Sequence, residues 1–287
     1  MDFVQVDVFG DAAYRGNALA MFTESGDLSG DQMQTIAREM NLSETTFVTR
    51  VEDESYEVRI FTPGDELDFA GHPTIGTAWV LRRAGALKSD GVIQHSRAGE
   101  TPVTLTDTGG SFERPGEVEP DLEETKTEAN ARISRALGLE VAQIGLDARE
   151  LGRSGRLLPA ISSAGMPMLV VPIRDRGSLR AISVRGDLLE EIAPSGVYCF
   201  TATGADQIEA RGLFPDKGIA EDPATGAGAA ATGLFLADRM GAIDVRIEQG
   251  LQIGRPSLIE VSASPGKVRV TGGCHLVFTG TLEAIPT

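Results

Sequence analysis

The chain has 287 residues, of which 41% are hydrophobic and 24% charged, a composition typical of globular proteins at a length sufficient for two lobes of about 130 to 150 residues. No apolar run approaches the roughly 20 residues that a membrane-spanning helix requires. The net charge of −16 argues against nucleic acids and anionic membranes as partners, because both repel an acidic surface.

Neither the N-terminal segment nor the cysteine content indicates secretion. The segment that follows Met1 alternates like a strand and has no basic region, long apolar core or small-residue cleavage site. The chain contains two cysteines, Cys199 and Cys274, both within strand-like runs. We therefore interpret them as buried core thiols, not as a disulfide or a metal site, and expect a cytoplasmic location.

The first half of the chain contains strand patterns and two helix patterns. Ser29 is placed to cap a helix that runs from Gly30 to Met40. A second helix follows His72, which we interpret as its capping residue, with Pro73 at the first helical position. This helix is apolar on nearly every side, so we expect it to be buried within its lobe. Strands are predicted at residues 3–9, 18–22, 45–48, 56–61, 91–97 and 101–107.

The second half repeats this scheme loosely. A polar acidic stretch from Glu113 to Asn130 is the predicted boundary and leads into a helix at about 125–138. Residues 71–76, GHPTIG, match residues 221–226, EDPATG, in register, and in each segment a capping residue, His72 or Asp222, and the proline after it are predicted to begin an apolar helix. An internal duplication with two buried central helices is the simplest explanation. Further strands are predicted at residues 167–171, 197–201 and 208–214. The predicted lobes comprise residues 1–116 and residues 117–273.

If two such lobes face each other about a pseudo-twofold axis, the N-termini of their central helices converge on one cleft. Backbone N–H groups and the helix dipoles would then receive a substrate carboxylate. The small residues at Gly71, Gly226 and Ala227 would let a ligand approach the backbone closely. A phosphate-binding loop is excluded because neither segment ends in lysine and a hydroxyl residue, and the dispersed histidines lack metal-ligand spacing.

Four motifs in the chain, in this order, resemble those of the PhzF family of phenazine-biosynthesis-like isomerases. They span nearly the whole sequence. The four motifs are Asn41-Leu42-Ser43-Glu44-Thr45, Phe69-Ala70-Gly71-His72-Pro73, Glu221-Asp222-Pro223-Ala224-Thr225-Gly226 and Gly254-Arg255-Pro256-Ser257.

This resemblance implies a diaminopimelate-epimerase-like α+β fold of two pseudo-symmetric lobes, each a curled, mostly antiparallel sheet around a buried central helix. It also implies a homodimer, the return of residues 274–287 to the first lobe, and catalysis without a metal or an organic cofactor. Glu44 matches the acid/base that moves a proton within a small unsaturated carboxylate substrate, and His72 and Asp222 match residues that assist it. Ser43, Gly71, Gly226 and Ala227 match positions that would line the substrate site.

The residue types fit this chemistry independently of the family. Desolvation raises the pKa of a carboxylate in a closed apolar cleft, so that Glu44 could accept and return a carbon-bound proton near neutral pH. A helix N-terminus favours neutral imidazole, which suits His72 as a hydrogen-bonding partner of the substrate. From the residues alone, an exposed loop carboxylate is the favoured interpretation of Glu44, and a helix cap is the favoured interpretation of His72 and of Asp222.

Two other functions remain open from the sequence. Racemases and epimerases of related fold exchange the α-proton of an amino acid between two opposed thiols, but His72 and Asp222 occupy the corresponding positions here. A non-catalytic protein could also keep this fold to bind a small molecule.

Overall fold

A computed structural model of the chain describes residues 1–119, 126–193, 195–215 and 219–286. Within these ranges the protein is a mixed α+β structure in which strands predominate. No helix among the described residues is long and apolar enough to cross a membrane. The chain divides into two compact units.

The first unit comprises Met1–Arg114 and Thr271–Thr287. Its two helices are α1, Gly30–Met40, and α2, Gly71–Arg83. Its strands are β1 Asp2–Val8, β2 Asn17–Phe22, β3 Glu44–Val51, β4 Ser55–Phe61, β5 Glu66–Leu67, β6 Gly91–Ser96, β7 Gly99–Thr106 and β8 Gly109–Pro115.

The second unit comprises Pro115–Val270. Its helices are α3 Lys126–Leu137, α4 Arg176–Arg180, α5 Gly186–Ile192 and α6 Gly226–Met240, with 3₁₀ turns at Val141–Gln143 and Ala148–Leu151. Its strands are β9 Glu117–Val118, β10 Leu146–Asp147, β11 Arg156–Leu157, β12 Ala160–Ser163, β13 Pro167–Pro172, β14 Val197–Gly204, β15 Gln207–Phe214, β16 Ile219–Asp222, β17 Ile243–Gln249 and β18 Ser257–Ser264. The last strand, β19 Lys267–Thr281, begins in this unit and ends in the first.

The strand pairings follow the same order in both units. In the first, β1–β2 and β3–β4 are antiparallel, β2–β3 and β4–β6 are parallel, and β6–β7 is antiparallel. In the second, β12–β13 and β14–β15 are antiparallel, β13–β14 and β15–β17 are parallel, and β17–β18 is antiparallel. Parallel neighbours require a crossover, and α2 lies in one crossover of the first unit as α6 does in the second.

Each of these two helices packs against strands at corresponding positions in that order. Helix α2 contacts β1, β2, β3, β6 and β7, and α6 contacts β12, β13, β14, β17 and β18. Every residue of α2 from Gly71 to Leu81 is buried, which confirms the prediction of a buried helix. A Cβ atom at Gly76 would lie 2.8 Å from side-chain carbons of both Val8 and Leu19, so glycine permits the close contact of α2 with β1 and β2.

Most predicted elements are present with small changes at their ends. Helix α1 spans the predicted residues, and Ser29 accepts a hydrogen bond from the backbone N–H of Gln32 in a capping box. Each predicted strand is observed with its ends within three residues of the expected positions. The predicted boundary stretch includes residues 120–125, which lie outside the described residues.

The starting points predicted for the central helices are wrong. Helix α2 begins at Gly71 with Ala70 as its N-cap, so His72 lies inside the helix and Pro73 is the third helical residue. Helix α6 begins at Gly226, and Asp222 is the last residue of β16. Proline is tolerated throughout a first helical turn, where the missing N–H has no intrahelical partner, and equally in a preceding loop. Its position therefore did not locate either helix start.

Candidate active site

Glu44 and His72 lie together in the first unit. Glu44 is the first residue of β3, and His72 is the second residue of α2. His72 Nε2 lies 3.4 Å from Glu44 Oε2, and the two side chains are 4% and 13% exposed. This contact does not have hydrogen-bond geometry, and among the described residues His72 Nε2 has no hydrogen-bond partner. One atom of a bound molecule could therefore contact both groups.

Burial keeps the His72 imidazole neutral. Desolvation lowers the pKa of His72 from 6.5 to about 3, because the charged form loses its hydration. The N-terminal end of α2 also disfavours a positive charge at this position. At neutral pH the ring therefore carries one proton and can either donate or accept a hydrogen bond at Nε2.

The position of Glu44 is set by the end of α1 and by contacts of β3. Asn41 follows α1 in the left-handed conformation, with φ of 51°, which asparagine tolerates better than most residues. The chain then passes through the half-buried Ser43 into β3, where Glu44 pairs with Leu19 of β2. The Thr46 hydroxyl lies 3.0 Å from that of Thr77 and links β3 to α2.

A buried hydrogen-bond network holds the first turn of α2. Tyr56 donates to Oε1 of Gln94 at 2.9 Å, and Gln94 Nε2 donates to the Thr74 hydroxyl at 3.0 Å. Thr74 in turn donates to the carbonyl oxygen of Ala70, the N-cap of α2, at 2.8 Å. These bonds connect two strands to the turn that contains Gly71 and His72, and they restrict movement of that turn.

The remaining predicted site residues lie together in the second unit. Asp222 is 6% exposed, and its Oδ2 accepts a hydrogen bond of 2.6 Å from the Thr225 hydroxyl. Gly226 is the first residue of α6 and is buried, and the half-buried Ala227 follows it. Asp222 is thus not the cap of α6 but contacts the residue that is. The prediction that these residues and Glu44 act on one substrate stays a prediction.

The Gly254-Arg255-Pro256-Ser257 motif supports the chain around Asp222. The Ser257 hydroxyl lies 3.1 Å from the carbonyl oxygen of Pro223 and 3.2 Å from that of Gln249. The backbone N–H of Arg255 donates to the carbonyl of Gly250, which adopts φ of 75°. The motif therefore joins the end of β17 to the loop before α6.

Sequence reasoning missed a group of buried polar residues in the second unit. Gln249 is fully buried and hydrogen-bonds both Asp222 and Thr225. The available signal was its position in β17, where Val245 and Ile247 mark the buried face and the next residue on that face is an amide. Gln94 follows Val92 on the buried face of β6 in the same way.

Both cysteines are buried in strands, which confirms their interpretation as core thiols. Burial raises the pKa of Cys199 to about 12 and raises that of Cys274 well above its usual value. Cys199 belongs to β14 and Cys274 to β19, and neither follows the start of α2 or α6. These thiols therefore do not form the pair that a two-cysteine racemase uses.

Comparisons with known proteins agree with the resemblance found in the sequence. The model of the PhzC-PhzF family, described as phenazine biosynthesis-like protein, matches residues 6–280. A trans-2,3-dihydro-3-hydroxyanthranilate isomerase of Pseudomonas aeruginosa is 31% identical over 94% of this chain and 92% of its own. A protein of Deinococcus radiodurans named as an uncharacterized isomerase is 32% identical over 96% of this chain and 92% of its own.

Solved structures share the fold. A predicted epimerase from Pseudomonas aeruginosa has a TM-score of 0.82 with 26% identity and covers 99% of both chains. A probable proline racemase from Agrobacterium radiobacter K84 has a TM-score of 0.64 with 12% identity, over 98% of this chain and 92% of its own, and shows likeness of fold alone. Because the family match spans nearly the whole chain and the named isomerases align with it almost end to end, this protein belongs to the PhzF family of phenazine biosynthesis-like proteins and is an isomerase.

Proposed function

We propose that the protein shifts a proton within a small unsaturated carboxylate substrate, with Glu44 as the acid/base and without a cofactor. The contact between Glu44 and the neutral His72 carries this proposal. It combines a mostly buried carboxylate with an imidazole that can hydrogen-bond the substrate without competing for its proton. The relatives named for isomerising trans-2,3-dihydro-3-hydroxyanthranilate support a substrate of this class.

The reaction is balanced without an added reactant. The Glu44 carboxylate removes a proton from one carbon, the released electron pair moves through the conjugated system, and the protonated Glu44 delivers the proton to a second carbon. His72 hydrogen-bonds a polar substituent of the substrate, and Asp222 accepts a hydrogen bond from another. Ser43, Gly71, Gly226 and Ala227 line the substrate site in this proposal.

The finer organisation of the fold belongs to the same proposal. We propose two pseudo-symmetric lobes, residues 1–116 joined by 274–287 and residues 117–273, each with a mostly antiparallel sheet around its central helix, as in diaminopimelate-epimerase-like proteins. The repeated order of strand pairings and the matching contacts of α2 and α6 support this organisation. A homodimer and a cytoplasmic location complete the proposal.

Proton NMR in D2O tests the chemistry directly. Wild type and Glu44→Gln are incubated with a panel of cyclic and acyclic unsaturated amino and hydroxy acids, including dihydro-hydroxyanthranilates. We expect deuterium incorporation and a new double-bond position with wild type, and a loss of about 10²-fold or more in the variant, as is usual when a general acid/base is removed.

The matched control is Glu100→Gln, which makes the same change at a side chain that is 72% exposed. This control should retain wild-type turnover. Turnover by Glu44→Gln at the wild-type rate would refute the assignment of the acid/base. Exchange confined to the α-carbon of an amino acid, with loss of stereochemistry, would favour a racemase, and ligand binding without any exchange would favour a binding protein.

A further inference from the structure

The side-chain amide of Gln249 has one possible orientation in its surroundings. Its Oε1 accepts from the backbone N–H of Thr225 at 3.0 Å, and its Nε2 donates to the backbone carbonyl oxygen of Asp222 at 2.8 Å. A backbone N–H can only donate and a carbonyl can only accept, so these two bonds distinguish the oxygen of the amide from its nitrogen. The backbone donor and the backbone acceptor therefore determine which end of the Gln249 amide is the oxygen and which is the nitrogen.

This orientation determines the direction of two further hydrogen bonds. Tyr198 must donate its hydroxyl proton to Gln249 Oε1, at 2.8 Å. Gln249 Nε2 donates its second proton to the Thr225 hydroxyl oxygen at 2.9 Å, so that hydroxyl directs its own proton to Asp222 Oδ2, at 2.6 Å. We call these four residues, Tyr198, Gln249, Thr225 and Asp222, the Gln249 network. Within it, Asp222 Oδ2 is an acceptor.

Two glycines make room for the Gln249 network. A Cβ atom at Gly212 of β15 would lie 2.5 Å from the Thr225 hydroxyl oxygen and 3.0 Å from Gln249 Nε2. A Cβ atom at Gly228 of α6 would lie 2.3 Å from the Tyr198 ring. Any larger residue at either position would displace a member of the network. The surrounding backbone is thus shaped to this set of hydrogen bonds.

The corresponding chain of bonds in the first unit ends differently. There, Gln94 donates to the Thr74 hydroxyl, and Thr74 donates to the backbone carbonyl of Ala70, an uncharged acceptor at the N-cap of α2. In the second unit the final acceptor is a carboxylate. A hydroxyl donor to a carboxylate stabilises its ionised form, whereas a donor to a carbonyl only anchors the backbone.

We propose that Gln249 and Thr225 are positioning residues that hold Asp222 ionised and in one rotamer, so that it accepts a hydrogen bond from an amino or hydroxyl group of the substrate. This inference deepens the proposed function and rests on it only for the role of Asp222 toward substrate. The Thr225 hydroxyl donates directly to the Asp222 carboxylate, and Gln249 orients that hydroxyl through its own hydrogen bond to it.

The charged and titratable groups near Asp222 include Glu221, Arg211 and Tyr198. Glu221 precedes it in β16 and is paired with Arg211 of β15 at 2.7 Å. Tyr198 of β14 faces it, and burial together with the Asp222 charge raises the pKa of this tyrosine well above its usual value. Helix α6 presents small apolar residues in its first turn. The Thr225 hydroxyl, which donates to Asp222 Oδ2 at 2.6 Å, is the donor to remove in a test.

The experiment follows the Asp222 carboxyl carbon by NMR in protein labelled with [4-¹³C]aspartate, with Asp222→Asn to assign its signal. Thr225→Val removes the hydroxyl and keeps the side-chain shape, and Gln249 Nε2 retains its bond to the Asp222 carbonyl. We expect the titration midpoint of Asp222 to rise by about one to two pH units, the effect of losing one hydrogen bond to a charged group. Thr225→Ser, which keeps the hydroxyl, should restore the wild-type midpoint.

A matched change in the first unit provides the control. Thr74→Val removes the corresponding buried hydroxyl, and we expect it to leave the Asp222 titration unchanged. With a substrate that the enzyme converts, Thr225→Val should lower kcat/KM by about tenfold or more and shift the acid limb of the kcat/KM profile to higher pH. Thr225→Ser should restore both the wild-type kcat/KM and the wild-type pH profile. Circular dichroism verifies folding, and Thr225→Ala replaces the valine variant if that variant does not fold.

The two proposals fail in distinguishable ways. An unchanged Asp222 midpoint in the hydroxyl-free variant would overturn the Gln249 network as a positioning device, whether or not the enzyme turns over its substrate. A raised midpoint with an unaltered kcat/KM would overturn its link to substrate binding. A raised midpoint in a protein that catalyses no proton transfer would support the network and refute the proposed function.

Discussion

Acidification from pH 8 to pH 5 should destabilise the wild-type protein through His72. The pKa of this buried imidazole falls from 6.5 to about 3 on folding, so below pH 6.5 the unfolded chain binds a proton that the folded chain excludes. Stability therefore falls as the pH drops through 6.5 and continues to fall to about pH 3. Replacing His72 by glutamine removes this contribution and leaves all other titrating groups in place.

The size of the effect at pH 5 follows from the unfolded state. At that pH an unfolded imidazole with a pKa of 6.5 is almost fully protonated, and the binding of its proton favours unfolding by RT ln(1 + 10^1.5), about 2 kcal/mol. The result hardly depends on the folded pKa as long as that lies below about 4.

Urea unfolding at pH 8 and pH 5 measures this difference. Trp79, the single tryptophan, lies buried in α2 and is a fluorescent probe in the same helix as His72. The stability of wild type relative to His72→Gln should fall by about 2 kcal/mol between the two pH values. The control is His95→Gln, which makes the same substitution at a side chain that is 41% exposed.

Parallel pH dependence in wild type and His72→Gln would refute this reasoning. It would mean that the Glu44 carboxylate, 3.4 Å away, stabilises the imidazolium enough to offset burial. His72 would then act as a cation in the proposed site, and its role as a neutral hydrogen-bonding partner would have to be abandoned.

Two further predictions concern packing and the thiols. Gly76→Ala should lower the free energy of unfolding by about 1 to 3 kcal/mol, because its Cβ would overlap side chains of β1 and β2. Gly91→Ala is the control, because no heavy atom lies within 4 Å of the added carbon, and it should change the free energy of unfolding little. Equal midpoints of the two variants in thermal unfolding would contradict this prediction. At pH 8 a thiol reagent should label Cys199 and Cys274 only after the protein unfolds, because both thiols are buried and burial raises their pKa. Rapid labelling of the native protein with loss of activity would instead support a cysteine mechanism.

Local sequence signals predicted the elements that depend on near neighbours. Ser29 and Gln32 form the capping box of α1 within four residues, and the helix has the predicted limits. The uniformly apolar character of residues 72–81 predicted that α2 would be buried. The proline positions did not predict where the central helices start, because proline fits both a first helical turn and the loop before a helix.

For the candidate site, too, the sequence predicted the residue types but not the contacts between distant residues. The motifs identified Glu44, His72 and Asp222 as residue types able to do the chemistry. They did not show that His72 Nε2 approaches Glu44 within 3.4 Å, because that distance depends on how β3 packs against α2. They also did not identify Gln249 as a partner of Asp222.

The sequence by itself determined the family, the isomerase class and the residue types at the candidate site, because these are written in short motifs and in the order of those motifs along the chain. Only the tertiary structure decided the protonation state of His72, which depends on exclusion of water by distant parts of the fold. It also decided the Gln249 network, whose members lie 24 to 51 residues from Gln249 along the chain. Strand pairing and helix packing bring such residues together from distant parts of the chain, so no short motif shows which of them meet.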